Sequence, residues 1–144
     1  MTLNALVAAD EVLVPIQCEY YALEGVTQLM RTIEAVRHAM NKELRLGSIL
    51  MTMFDGRTRL STQVDEEVRT HFARETMSTR IPRSVRVSEA PSYSRSVLTY
   101  EPTSAGAVAY REAAAEFAKR HACDEHSTNT SGVKHPDASD TKKG

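Results

Sequence analysis

The chain has 144 residues, 41% of them hydrophobic and 26% charged, with a formal net charge of -1. This length suits one domain with a single core, the composition is that of an ordinary globular protein, and the near-zero balance gives no whole-chain bias toward nucleic acid. No apolar run is long enough to span a bilayer, and the first residues lack a signal peptide's basic start and apolar stretch, so no membrane role and a cytoplasmic location are expected.

In chain order, "MTLNALVAAD" reads as the last turns of a helix leading into a strand. "EVLVPI", residues 11–16, is a short β-branched run, expected to be a strand buried on both faces as parallel strands are. Ala22, Val26, Leu29, Met30, Ile33, Val36 and Met40 recur at three- and four-residue steps and predict a helix of about five turns that stops near Asn41. "LGSILMTMF", 46–54, is the second strand, and a helix follows with Val64, Val68 and Phe72 on one face. The run Asp65-Glu66-Glu67 is expected to form that helix's solvated face.

"MSTRIP", 77–82, is the third strand. "IPRSVRVSEAP", 81–91, is bracketed by prolines and crowded by Arg80, Arg83 and Arg86. It is too interrupted for a helix of its own, and an external partner is expected to touch it. Ser104 is a plausible N-cap for an alanine-rich helix ending near Arg120. The polar residues 121–144 read as a disordered tail, whose His121, His126 and His135 are too irregularly spaced to argue a metal site. Strand and helix thus alternate, and the fold class is α/β with a parallel sheet.

Familiar chemistry is hard to assemble from these residues. The six glycines open no GxxxxGK[ST] or GxGxxG run, so no backbone cradle for a pyrophosphate is read. His38 and His71 fall in amphipathic helices, and Cys18 and Cys123 show neither CxxC nor Cys/His spacing, so no catalytic set, disulfide or zinc site is argued.

Four stretches, in order over roughly residues 2–120, carry a resemblance: "ALVAADEVLVPIQCEYYALEGVTQLMRTIEAVR", "LMTMFDGRTRLSTQVDEEVRTHF", "IPRSVRVSEAPS" and "YEPTSAGAVAYREAAAEF". Together they resemble the carboxyl-terminal half of ParA/Soj chromosome- and plasmid-partitioning ATPases. The resemblance implies part of a P-loop NTPase-type parallel sheet with flanking helices over 1–120, ATP and Mg²⁺ as the family's cofactors, an ATP-dependent dimer, nonspecific DNA binding at the nucleoid, and a ParB-like centromere-binding partner. It also implies that the family's phosphate loop and magnesium-associated Asp precede the matched segments. A truncated chain without autonomous ATP hydrolysis or a bound cofactor, completed by an amino-terminal half, is therefore one expectation. Such a cut sheet would expose an edge and favour poor stability or aggregation. A nucleotide-independent module that binds DNA or docks on ParA or ParB is the other.

By resemblance, Gln17, Met53, Asp55, Pro82 and Arg83 lie near nucleotide, and Arg57, Arg83 and Arg86 match basic positions of a DNA-binding surface. Pairing of an arginine with a local acid such as Glu89 is the competing reading for that patch. The chain departs from the family at Ser84 and at Tyr93-Ser94-Arg95-Ser96.

Overall fold

The computed structural model describes residues 2–128. Elements run α1 (Thr2–Ala8), β1 (Glu11–Gln17), α2 (Ala22–Ala39), β2 (Arg45–Phe54), α3 (Arg59–His71), β3 (Thr76–Pro82), α4 (Val85–Glu89), a 3-10 turn (Ala90–Tyr93), α5 (Val97–Tyr100) and α6 (Ala105–Thr128). The three strands form one parallel sheet in the order β1-β2-β3. The alternation of strand and helix read from the sequence is what the chain adopts.

The central strand β2 is the apolar one. Ile49 and Met51 are fully buried and pack with Ile16, Val26, Val64 and Val68 on the face covered by α2 and α3. On the other face Leu50, Met77 and Ile81 pack against Ala109, Ala113 and Phe117 of α6. A third cluster seats α1, with Leu6 against Ile33, Val36 and Leu44. Asn41 holds the end of that short helix, because its side-chain amide lies 2.7–3.1 Å from the carbonyls of Leu6, Val7 and Ala9, which have no partner further along the helix.

Five expectations need correction. Strand β1 is not buried on both faces: only Ile16 of its seven residues is buried, and Leu13 is 40% exposed. It is an edge strand among the described residues, and α6 lies along β3 rather than over it. Met40 falls at the C-cap of α2 and is exposed instead of closing the apolar stripe.

The segment after β3 does form a helix of its own. Ser84 is extended, α4 occupies Val85–Glu89, and Pro91 enters the first turn of the 3-10 segment, where its missing N–H costs nothing. Gly106 makes that packing possible, since a Cβ there would run into Val87.

Helix α6 starts as expected, with Ser104 Oγ accepting from the Ala107 N–H at 3.3 Å, but it continues to Thr128, past the expected end near Arg120. His121, assigned to the tail, is a structural residue. Its Nδ1 lies 2.9 Å from the Phe117 carbonyl and its Nε2 2.8 Å from Glu11 Oε2. Both partners are acceptors, so the ring satisfies both only as imidazolium. The Phe117 carbonyl first, then Glu11, pushes the His121 pKa up. Gly47 gives the Glu11 carboxylate room, because a Cβ there would overlap it. The expected disorder of 129–144, and the tail histidine His135, lie outside the described residues.

Candidate functional site

Parallel strands end together, so residues far apart in sequence converge where β1, β2 and β3 finish. Gln17 pairs with Thr52, and Phe54 pairs with Pro82. The Arg83 N–H donates to the Phe54 carbonyl at 2.9 Å, and the Cys18 N–H to the Thr52 carbonyl at 3.1 Å. Gln17, Met53, Asp55, Pro82 and Arg83 therefore sit on one end of the sheet, the carboxyl end, outside which open α/β sheets bind ligands. A groove of about 580 Å³ opens beside β1 there, lined by Gln17, Tyr20, Tyr21, Gly25 and Leu60 among others, with both tyrosines exposed.

Met53 has φ of 54°, a left-handed conformation in a residue with a Cβ. The strain falls where the β2–β3 register shifts between Met51 and Phe54, and such strain survives only where surrounding structure enforces it. Met53→Val should therefore destabilise by about 1 kcal/mol or more, since a β-branched residue tolerates that φ least, while Met53→Gly should stay within about 0.5 kcal/mol of the parent. Urea unfolding of both variants checks this; equal losses would contradict an enforced left-handed turn.

Beyond the strand, Asp55 and Arg57 form a two-pronged pair: Arg57 Nε reaches Oδ1 and its terminal nitrogen Oδ2, each at 3.0 Å. The Arg57 side-chain bond first, then its backbone N–H, holds the Asp55 carboxyl below its ordinary pKa, with Arg83 adding a smaller push the same way. Thr58 caps α3 by accepting from the Ser61 N–H at 3.3 Å. Arg83 is exposed, and its guanidinium has no ion pair or hydrogen bond among the described residues. Arg86, the second residue of α4, pairs with Glu89 at 3.2 Å, the competing reading anticipated for it.

The geometry gathers Arg57 and Arg83 about Asp55, while Arg86, three residues on, faces Glu89, Glu101 and Tyr100. The residues present do not suit a metal–triphosphate: both Asp55 oxygens are taken by Arg57, and no cluster of three metal-ligating side chains occurs among the described residues. Strand-end backbone and the half-buried Met53 could flank a flat base.

Sequence reasoning missed the charged core beneath this surface. Asp65 is 3% exposed, not on a solvated face, and its Oδ2 accepts from Arg69 Nε at 2.9 Å and from Arg80 Nε and NH2 at 2.9 and 2.6 Å. Burial alone would raise the Asp65 pKa, but the Arg80 and Arg69 guanidiniums outweigh it and hold the carboxyl low. Arg80 also lies over the Phe54 ring, 5.3 Å from its centre. Nearby Cys18 is pushed up to about 11, by burial first and then by Asp65, so it stays a neutral thiol.

A protein-family model described as an AAA domain matches residues 1–46. Over 120 residues, 83% of this chain, the sequence is 52% identical to the chromosome-partitioning ATPase Soj of Thermus thermophilus and 51% identical to the chromosome partitioning protein ParA of Caulobacter vibrioides. The matched region belongs to the Soj/ParA family. The sporulation initiation inhibitor protein Soj of Bacillus subtilis is 48% identical over 118 residues. The chain spans about half the length of these curated relatives, 48%, 45% and 47% respectively. Among solved structures, a cobyrinic acid a,c-diamide synthase from Mycobacterium smegmatis superposes with a TM-score of 0.58 at 37% identity, over 77% of this chain and 38% of that one, and that enzyme is also known with ADP and magnesium bound. The sheet is thus of the P-loop ATPase type, matched over a part of a Soj/ParA chain. No described helix is long and apolar enough to cross a membrane.

Proposed function

We propose that these residues supply the DNA-contacting face of a Soj/ParA-type partitioning protein working at the nucleoid, and that any ATP hydrolysis depends on phosphate- and Mg²⁺-binding groups which residues 2–128 do not supply. The observation that carries the reading is the gathering of Arg57 and Arg83 at one end of the sheet, with Arg86 three residues further along the chain, in a region about half identical to partitioning ATPases. Guanidiniums there would neutralise backbone phosphates and release counterions without reading bases.

Arg83 is the strongest contributor in this scheme, because Arg57 and Arg86 must first loosen from Asp55 and Glu89. Base-side contacts to a nucleotide would come from Met53 and Pro82, and Gln17 would approach it from β1. A ParB-like protein and a second copy of the chain are the partners the family relationship favours.

The edge of β1 supports a related reading, in which further strands of a Soj/ParA-type sheet pair with β1 and complete it. Leu13, on that edge strand, is 40% exposed.

Fluorescence anisotropy with two duplexes of unrelated sequence, without nucleotide and at low salt, tests the DNA reading. Equal saturable binding to both is expected. Absence of binding, or strong preference for one duplex, would overturn it.

A further inference from the structure

The opposite end of the sheet holds a second cavity, of about 650 Å³, between α6 and the amino ends of β1 and β2. Four arginine or lysine side chains line it against three glutamates, with His121 beside them. Two of those glutamates are already engaged. Glu11 accepts from Arg45 and His121, and Glu116 accepts from the Ser78 and Thr79 N–H groups, the Thr79 hydroxyl and Arg120. Arg120 is engaged in turn by the carbonyls of Arg74, Glu75 and Thr76.

Left over are Arg74 and Lys119, whose side chains have no ion pair or hydrogen bond among the described residues, and Glu75 is the one carboxylate of the described lining left to oppose them. The second observation is Ser48. It is 1% exposed, it lines this cavity, and its Oγ has no hydrogen-bond partner. Ser48 shares its sheet face with Leu50, two residues on, which packs against α6, so the hydroxyl is directed into the space under that helix.

We infer that this cavity is an anion site for a phosphate group, as orthophosphate or the phosphate of a mononucleotide. The Ser48 hydroxyl is closed off from solvent, so a tetrahedral oxyanion that displaced the atoms over it would accept from it while meeting Arg74 and Lys119, satisfying the buried donor and the surplus charge together. The cavity's size and polar walls suit a small ligand rather than a duplex. It is distinct from the arginine face at the other end of the sheet, so failure of either reading leaves the other standing.

The test is thermal unfolding of the full chain titrated with sodium phosphate, against sodium chloride at equal ionic strength, with adenosine monophosphate as a parallel arm. A saturable rise in Tm with phosphate and not with chloride is expected. Response to both phosphate and the nucleotide would make the site one for phosphomonoesters; response to phosphate alone would make it one for the free ion.

Ser48→Ala gives a crossed signature: equal or higher Tm without phosphate, because a buried unpaired hydroxyl is removed, and at least a several-fold weaker phosphate response. Arg74→Gln with Lys119→Gln should weaken that response about tenfold or more, and Lys119→Gln alone serves if the pair fails to fold. A parent protein that responds no better to phosphate than to chloride, or variants that respond like the parent, would overturn the assignment.

Discussion

Asp65→Ala is expected to lower unfolding free energy by about 3 kcal/mol, near the bottom of the ~3–5 kcal/mol range for breaking a buried ion pair from one side. The mechanism is specific. Asp65 Oδ2 is the shared acceptor for two arginines from different elements, Arg69 on α3 and Arg80 on β3, so its loss strands both guanidiniums beside the core. The low end applies because the Arg69 and Arg80 side chains keep 26% and 39% of their exposure and can draw on water. Thermal unfolding should show a fall in Tm of about 10 °C for a domain of this size. A fall under about 3 °C would mean that the cluster is replaceable.

Glu116 carries the second large effect and ties stability to pH. Burial alone would raise its pKa, but the Ser78 and Thr79 N–H groups, the Thr79 hydroxyl and Arg120 lower it from 4.5 to about 2. A folded pKa below the unfolded one means that its contribution is fully present above pH 4.5 and is lost as pH falls from there through about 2. Glu116→Gln should cost about 2 kcal/mol at pH 7, a figure reduced from the full shift because the side chain keeps 19% of its exposure. Asp65 also titrates low, so the informative quantity is the stability difference between parent and variant by urea unfolding at pH 7 and pH 3. That difference should fall to roughly half or less of its pH 7 value at pH 3, because the folded carboxyl stays ionised down to about 2 while the unfolded one is already protonated. A constant difference would show that Glu116 acts through shape and not charge.

The alternation of apolar runs and amphipathic stretches made the parallel sheet legible, and the four matching stretches made the family legible. The charge network was less so, for a physical reason. Asp65 lies in the helical stripe Ser61, Val64, Asp65, Val68, all four buried, yet its neighbours Glu66 and Glu67 made the run look like one solvated face. Position within the 3.6-residue period was the available signal, and a partner on β3 was not deducible from it.

The Glu11–His121 contact joins residues 110 positions apart, and no local pattern announces such a pair. β1 misled in the opposite sense, since a β-branched run looks buried whether or not further strands cover it. Among site residues, the strand-end placement of Met53, Asp55 and Pro82 followed from topology, while the pairing of Arg57 with Asp55 depended on a turn geometry that composition does not encode.

The central claim is that the arginine face meets nucleic-acid phosphates, and the salt dependence of duplex binding tests it most directly. Each phosphate contact adds about 0.9 to the slope of log affinity against log salt. Arg83→Ala should reduce that slope by about one, and Arg57→Ala and Arg86→Ala by less, because Asp55 and Glu89 already neutralise those side chains. A slope unchanged in Arg83→Ala and in the triple variant would contradict the account.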